Sequence, residues 1–344
     1  MRIIRYLIKV LFAGCASVLA LCLLLSCYSL MPVHASNPLG NTDYVWPADS
    51  VWMQMSEGIS FGRFDAQGFN NRQAIANPDV LILGSSHMEA TQVMQEETTA
   101  AQLQSLMGSG TSVYNMGISS HNLPKVCQYL PKTLSLFETP PKTVVIETSM
   151  VALYEYDVQT ILEGTVSRIG SHEDGLVAAL QKLPFFRALY QQLIGGLSDL
   201  LFEARSAVPA ASGGEEAGFP TDGSQYDPLM AYLRGLADQY GTQLVIFVHP
   251  KGYLKQDGSV FFAPDPCLDA FSAKCAAYGI GFIDMAPVFA AMYENEHKLP
   301  HGFITGEIGS GHLNRDGHRA IAAELYRYHW LGLHACRTGA HNGL

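Results

Sequence analysis

The sequence predicts an α/β protein in which a five-stranded parallel sheet lies between helices, behind an N-terminal transmembrane helix. Three observations support this prediction. An uncharged apolar run lies near the start of the chain, five short apolar segments alternate with helical stretches, and proline and glycine stand at the expected helix ends. With 344 residues, of which 48% are hydrophobic, the chain is long enough to bury a large core.

Residues 1–31 have the pattern of a membrane anchor. Arg2, Arg5 and Lys9 come first, and no charged residue follows over 10–31. As a helix this run covers roughly 30 Å of hydrocarbon, and it is longer than the apolar core of a signal peptide, about 7–15 residues. We therefore expect a single retained helix with its basic end in the cytoplasm, and the bulk of the chain in the periplasm or extracellular space. A cleaved signal peptide, or a lipoprotein acylated at Cys27, is the alternative.

Charge and motif content argue against several functions. Lysine and arginine number 21 against 31 acidic residues, a net charge of −10, so nucleic acid is not an expected partner. No glycine-rich phosphate-binding motif occurs, and Pro300 between His297 and His301 breaks the helix that would aim both at one metal. No cofactor and no metal are therefore expected. Among the 7 cysteines, Cys267 and Cys275 are close enough in sequence to pair, and buried thiols are the alternative.

Strands and helices alternate along the predicted domain. The five apolar, β-branched segments are 80–83, 112–116, 143–148, 243–248 and 281–285. Their alternation with helices predicts a parallel sheet within a three-layer sandwich of the flavodoxin-like kind. Pro228 and Pro287 stand at expected first turns of helices, and Gly241 and Gly279 at expected helix ends. Asn314 is expected to cap a last helix with one apolar face.

Composition divides the chain into three parts: the anchor at 1–31, an aromatic-rich linker at 32–78 that packs on the domain, and the α/β domain at 79–335. A glycan-stacking surface is the alternative for the linker. Within the domain, 206–225 is rich in glycine, serine, alanine and acidic residues, which predicts a flexible surface insertion. The preceding segment, 176–202, has apolar residues at helical spacing. It is interpreted as cladding of the sheet, with a lid or a partner-facing helical pair as the alternatives.

Polar groups follow four of the predicted strands in turn. They are Ser86, Gly117, Ser149 and His249. Because ligands of open parallel sheets bind beyond the carboxyl ends of the strands, we expect these groups at one edge. Ser85 and Ser86 also begin a helix, where unpaired backbone N–H groups favour negative charge on a nearby oxygen. Ser86 is therefore a candidate nucleophile.

A serine hydroxyl becomes a good nucleophile only when a neighbouring imidazole accepts its proton. His312 is the leading candidate, because it lies in the glycine-rich loop 309–314 before the last helix; a capping or packing role is the alternative. In a five-stranded parallel sheet this loop returns beside the first strand. His87 and His121 are interpreted as exposed histidines at helix starts, with a contact to substrate as the alternative.

The turn Gly84-Ser85-Ser86, together with Gly117 and His312, resembles the motifs of the SGNH hydrolase superfamily, also called GDSL-like esterases. The resemblance covers roughly residues 79–328. It implies that Ser86 is the nucleophile, that His312 is the base, and that the N–H groups of Ser86 and Gly117 hold the oxyanion with an asparagine side chain. The Gly-Ser-Ser form is similar to a membrane-anchored extracytoplasmic branch. Members of that branch act in acyl transfer or deacylation on cell-envelope polymers, including D-alanylation of teichoic acid and acetylation of alginate.

The sequence departs from the family pattern at three positions. Ser85 replaces the aspartate of the first motif, Ser149 stands where the oxyanion asparagine is expected, and Gly309 occupies the place of the acid before the histidine. The group that orients the imidazole is therefore unassigned. A backbone carbonyl is one alternative, and the nearest acidic residues are Glu307, Asp284 and Asp316.

The resemblance implies an anchored serine esterase or O-acyltransferase that acts on acyl esters, chiefly acetyl esters, of cell-envelope polysaccharide. Its expected partners are an acylated sugar substrate, the membrane, and a membrane-bound acyl-transfer protein. A non-catalytic glycan-binding or polysaccharide-assembly protein with the same fold is the alternative, because three motif positions differ. A lipid esterase whose segment 176–202 covers the site at the membrane surface is a third reading.

Overall fold

From residue 80 onward, the described strands of the parallel sheet are separated by helices, as the sequence predicts. The protein is seen in a computed structural model that describes residues 2–30, 35–36, 44–55, 57–164, 223–255, 257–262, 265–305 and 308–338. The helices of this described part are α1 (Arg2–Tyr28), α2 (Ser86–Glu89), α3 (Thr99–Met107), α4 (Leu123–Leu134), α5 (Glu155–Glu163), α6 (Tyr226–Tyr240), α7 (Leu268–Ala277), α8 (Ala286–Glu296) and α9 (Arg315–Thr338). Its strands are β1 (Ser29–Leu30), β2 (Ala35–Ser36), β3 (Tyr44–Val45), β4 (Val51–Gln54), β5 (Ser60–Arg63), β6 (Val80–Gly84), β7 (Val113–Gly117), β8 (Thr143–Thr148), β9 (Gln243–Val248), β10 (Gly252–Leu254), β11 (Val260–Phe262) and β12 (Gly281–Asp284).

Five strands form the central sheet, in the order β12-β9-β8-β6-β7. All neighbours are parallel, and the register sets Gly84 opposite Gly117 and Thr148 opposite Val248. The predicted segments 143–148 and 243–248 coincide with β8 and β9. The segments 80–83 and 281–285 differ from β6 and β12 by one residue at one end, and 112–116 differs from β7 by one residue at each end. The predicted five-stranded parallel sheet is confirmed.

Helices cover both faces of the sheet, which confirms the three-layer sandwich. The alternating side chains of the strands divide between two apolar cores. One core contains residues of α4, α5, α6 and α7, and the other contains residues of α3, α8 and α9. The predicted helix ends hold as well: Gly241 follows α6 at φ +62°, and Asn314 Oδ1 accepts the N–H groups of Asp316 and Gly317 at 3.0 and 3.1 Å at the start of α9.

The N-terminal part of the chain packs a small antiparallel sheet, β1-β4-β5, beside the domain. Trp52, Phe64 and Phe69 are buried, whereas Phe61 on the outer face of β5 is exposed. Residues Arg2–Leu24 of α1 are long and apolar enough to cross a membrane, a property that a signal sequence shares. Strand β1 follows α1 without an intervening residue.

The segment 176–202 and most of the insertion 206–225 lie outside the described residues. Cys267 and Cys275 are both buried and are not joined by a disulfide. Burial raises the pKa of the Cys275 thiol to about 12, so this thiol is protonated and unreactive at neutral pH.

Candidate active site

Ser86, His312 and Glu57 form a continuous chain of hydrogen bonds. Ser86 Oγ lies 2.8 Å from His312 Nε2, and His312 Nδ1 lies 2.6 Å from Glu57 Oε2. Glu57 Oε1 also accepts the backbone N–H of His312 at 2.7 Å. When Nδ1–H donates to the carboxylate, Nε2 keeps the lone pair that can accept the serine proton. The arrangement can therefore act as nucleophile, base and orienting acid.

Ser86 is held at the tip of β6 by a tight turn. A Cβ on Gly84 would lie 2.5 Å from Glu147 Oε2, so the glycine lets the carboxylate approach the turn. Ser85 caps α2, with its Oγ accepting the N–H of His87 at 3.3 Å. Helix α2 spans only 4 residues and ends at Ala90 in the left-handed region, φ +53°. The expected benefit from a helix dipole at Ser86 is therefore small, because a single turn aligns few peptide units.

The loop that carries His312 is fixed by its glycines. Gly311 adopts φ +79°, and a Cβ there would lie 2.2 Å from Glu57 Oε1. Gly302 donates its N–H to His312 O at 3.0 Å, and His301 forms an isolated antiparallel bridge with Leu313. The base is thus held by backbone contacts as well as by its ring.

Glu57 is the acid that the sequence analysis did not find. It lies in the turn between β4 and β5, where the N–H of Gly58 donates to Thr305 Oγ1 at 2.9 Å. Among the sequence-based candidates, Asp284 Oδ1 caps α8 at 2.9 Å from Ala286 N, Asp316 pairs with Arg319 at 3.2 Å, and Glu307 lies outside the described residues. Neither Asp284 nor Asp316 contacts His312 in the described part, so the acid comes from the N-terminal segment.

The environment of Glu57 keeps it ionised. Burial alone would raise the pKa of its carboxyl group, but the hydrogen bonds from the His312 ring and backbone outweigh it and lower the pKa below the usual value. A negative Glu57 stabilises the imidazolium that forms when His312 takes a proton.

The N–H of Gly117, which the resemblance places in an oxyanion hole, has another partner. It donates to Asn115 Oδ1 at 2.9 Å, and a Cβ on Gly117 would lie 2.3 Å from Glu89 N. Gly117 therefore serves as a close-packing position beneath α2. Ser120 is different: it adopts φ +69° and lines the cleft beside Ser86. Within the described residues, neither the Ser86 N–H nor the Ser120 N–H has a hydrogen-bond partner.

An open cleft of about 600 Å³ lies in front of Ser86. It is bordered by residues that follow β6, β7 and β8, including Ser85 and Ser149, so the cleft occupies the expected carboxyl edge of the sheet. Tyr154 and Tyr156 stand at its rim, with 43% and 67% of their surface exposed.

A cluster of histidines lies behind the nucleophile. His249 and His301 are fully buried, and His249 Nε2 lies 2.5 Å from Glu147 Oε1. Burial lowers the pKa of His87 well below its usual value and lowers that of His301 to about 2, so both rings are neutral at neutral pH. The expectation that His87 and His121 are exposed is wrong: His87 lies among the other rings, and His121 is 4% exposed and stacked on Tyr129.

One ring nitrogen of each of three histidines, His87, His249 and His301, lies within 4.8 Å of the other two, a spacing at which three rings can share a metal ion. His249 is suitable in its neutral form, in which donation of Nε2–H to Glu147 leaves a lone pair on Nδ1. His87 is not, because its Nδ1 accepts the N–H of Leu313 at 3.2 Å and the remaining nitrogen of the neutral ring must carry the proton. The three rings therefore fit a hydrogen-bonded network better than a metal ion.

Comparison with known proteins gives only distant similarity. No protein-family model and no curated protein matches the sequence. Among solved structures, the acetyl xylan esterase AlAXEase matches with 14% identity over 72% of this chain and 98% of that chain, at a TM-score of 0.39. A putative lipolytic protein of the G-D-S-L family from Desulfitobacterium hafniense DCB-2 matches with 11% identity over 74% of this chain and 99% of that chain, at a TM-score of 0.35. An extracellular lipase from Streptomyces rimosus matches with 14% identity over 73% of this chain and 99% of that chain, also at a TM-score of 0.35. At TM-scores below 0.5 these similarities carry no weight for the function of this chain.

Proposed function

We propose that this chain is a membrane-anchored, extracytoplasmic serine esterase or O-acyltransferase that acts on acyl esters of cell-envelope polysaccharide. The observation that carries the proposal is the chain Ser86–His312–Glu57, with contacts of 2.8 and 2.6 Å. Three groups from distant parts of the sequence meet in the order that nucleophilic catalysis needs, at the edge of an open cleft.

The reaction begins with proton transfer from Ser86 Oγ to His312 Nε2. The serine oxygen bonds to the ester carbonyl carbon, the tetrahedral intermediate collapses, and the bond to the leaving alcohol breaks as His312 returns the proton to that alcohol. The acyl group is then on Ser86. In the second half, water or a sugar hydroxyl bonds to the acyl carbon, its proton passes through His312 to Ser86 Oγ, and the serine is released. Hydrolysis and transfer differ only in which hydroxyl enters.

For the oxyanion we propose the backbone N–H groups of Ser86 and Ser120, with the exposed Ser149 hydroxyl as a third donor. These groups border the cleft, and the two amides have no other partner within the described residues. An oxyanion donor is typically worth about 3–4 kcal/mol of transition-state stabilisation. The left-handed backbone at Ser120 fits this role, because strained conformations concentrate at functional sites.

The rim of the cleft supports a carbohydrate substrate. Tyr154 and Tyr156 present exposed aromatic surface beside the nucleophile, and such rings pack on the apolar faces of sugars while their hydroxyls stay in water. The apolar helix α1 supports a retained anchor. The basic end of α1 would then lie in the cytoplasm, and the domain would lie outside the cytoplasmic membrane. A membrane-bound acyl-transfer protein is the proposed donor in the transferase case.

Labelling with a fluorophosphonate probe tests the proposal. The full chain in detergent should form an adduct on Ser86, Ser86→Ala should abolish it, and His312→Ala should slow it strongly. Ser135→Ala, which removes an exposed serine hydroxyl at the end of α4, is the matched control and should label normally. Acetylated oligosaccharides should then be turned over in preference to long-chain esters. The reverse preference would support the lipid-esterase reading.

The second candidate is a non-catalytic glycan-binding or assembly protein. It is favoured by the engaged Gly117 amide and by the absence of an asparagine at Ser149. In that case the cleft binds sugar, but wild-type protein gives no adduct on Ser86 under conditions that label a control esterase.

A further inference from the structure

The turn that carries Ser86 and the loop that carries His312 are connected a second time, behind the triad. The connection is a row of buried side chains, Glu147, His249 and His301, here called the rear circuit. Glu147 Oε2 accepts the N–H of Ser85 at 2.6 Å, and its Oε1 lies 2.5 Å from His249 Nε2. His249 Nδ1 lies 3.3 Å from His301 Nε2.

Each end of the rear circuit is attached to a catalytic segment. At one end, Ser85 directly precedes the nucleophile. At the other, His301 forms the bridge with Leu313, and the next residue, Gly302, donates its N–H to His312 O at 3.0 Å. All three side chains are at most 1% exposed, so water does not compete for their hydrogen bonds. A displacement of the base loop relative to the serine turn would have to break this row.

In the proposed reaction, the direct hydrogen bond between Ser86 and His312 is present in the resting state but not in the acyl-serine. In the resting state Ser86 and His312 hold each other directly at 2.8 Å. In the acyl-serine the oxygen of Ser86 is an ester oxygen without a proton, so this front hydrogen bond is lost. Glu57 still orients the imidazole, but it belongs to the β4–β5 turn and does not tie His312 to the serine. The contact from Leu313 N–H to His87 Nδ1, 3.2 Å, is the other link between the two segments among the described residues around the triad.

We propose that Glu147, His249 and His301 are positioning residues that keep His312 in register with Ser86 while the front hydrogen bond is absent. The inference rests on the proposed function, since it concerns the second half of that reaction. There His312 Nε2 must take the proton of the entering water or hydroxyl and return it to Ser86 Oγ as the acyl–oxygen bond breaks. The first half starts with the front hydrogen bond intact and depends less on the rear circuit.

His301 offers the cleanest perturbation. Its Nδ1 is buried without a hydrogen-bond partner in the described structure, and its ring makes one hydrogen bond, to His249. His301→Phe therefore removes the last link together with the unpaired Nδ1 of that ring. It leaves the buried His249 Nδ1 without its hydrogen-bond partner, so we expect a small fall in Tm with the fold retained. His301→Gln places an amide N–H near the position of Nε2 and should restore the link. His318→Phe is the control, because it removes a buried histidine of α9 whose ring contacts Thr99 Oγ1 at 2.8 Å instead of the rear circuit.

Two rates separate the two halves of the reaction. Fluorophosphonate labelling reports attack by Ser86, and turnover of p-nitrophenyl acetate, with intact-mass measurement of acetylated Ser86 during turnover, reports the second half. For His301→Phe we expect labelling at about the wild-type rate, a fall in kcat of about 10- to 100-fold, and accumulated acetyl-serine. His301→Gln should regain most of the turnover. His318→Phe should lower Tm but change neither rate.

The outcomes distinguish the two proposals. If wild-type protein is labelled and turns over, but His301→Phe loses labelling and turnover in equal proportion or loses neither, the positioning role is refuted. The same holds if His301→Gln behaves like His301→Phe. If wild-type protein is not labelled on Ser86 at all, the proposed function fails, and the positioning role fails with it.

Discussion

Replacement of Glu57 by glutamine tests the triad with almost no change of shape. The carboxylate now accepts two hydrogen bonds from His312, from the backbone N–H at 2.7 Å and from Nδ1–H at 2.6 Å. A glutamine has a single acceptor oxygen, so its NH₂ group must face one of these two donors. The amide can be accommodated if the imidazole changes tautomer, which puts a proton on Nε2 where the proton of Ser86 has to go.

The loss of the charge sets the magnitude. A carboxylate and an imidazolium about 4 Å apart attract each other by about 4 kcal/mol at an effective dielectric constant of about 20. At about 1.4 kcal/mol for each factor of ten, this predicts a fall in kcat of about 10³-fold. Both side chains are 28% exposed, so solvent screening keeps the effect below the largest losses known for such substitutions, about 10⁴-fold.

The assay is kcat for p-nitrophenyl acetate, together with the rate of fluorophosphonate labelling, for Glu57→Gln in the full-length chain. Tm should fall modestly, because the lowered pKa of Glu57 means that its ionised form stabilises the folded state, and the amide can accept only one of the two hydrogen bonds from His312. Glu294→Gln, at an exposed position on α8, is the matched control and should behave like wild type. A Glu57→Gln variant that keeps kcat within about tenfold of wild type would show that the carboxylate does not support the imidazolium.

Two further predictions concern stability and backbone geometry. Gly311→Ala and Gly108→Ala both place a side chain at positive φ, +79° and +74°, and each should lower the unfolding free energy by about 1–3 kcal/mol. Only Gly311→Ala should also abolish activity, since its Cβ meets Glu57 Oε1 at 2.2 Å whereas the Gly108 position is open; equal activities would contradict the geometry. Burial lowers the pKa values of His301 and His318 from 6.5 to about 2 and about 3, so below pH 6.5 the unfolded chain binds protons that the folded chain does not. Between pH 6.5 and 5 the unfolding free energy should therefore fall by up to about 1.4 kcal/mol per pH unit for each histidine, and a flat profile in chemical denaturation would refute this.

The sheet could be predicted from the sequence because its signals are local. Each strand is a short β-branched run, and strands buried on both faces contain few polar residues, as Val80–Gly84 shows. The contact between Ser86 and His312 could also be predicted from the sequence, because the order of strands in a parallel sheet brings the loop before the last helix back to the first strand.

Glu57 could not be predicted, because nothing in its neighbourhood marks a catalytic acid. In the sequence Glu57-Gly58 looks like an ordinary turn between two strands, and its contact with His312 depends on how a separate three-stranded sheet docks on the domain. The histidine cluster was missed for a related reason. His249 and His301 are isolated polar residues in loops, and their burial follows from the packing of the two loops against each other.

The short connection between α1 and the β4–β5 hairpin limits the distance between the triad and the membrane. Ser29, the first residue after α1, pairs with Gln54, and Glu57 lies three residues farther along the same hairpin. At about 3.5 Å per residue and about 4.8 Å between strands, Glu57 is within roughly 15 Å of the end of α1. A chain anchored as proposed has no tether that would let the triad swing into the cell wall. Under the proposed function, a polymer substrate would have to be presented at the bilayer surface.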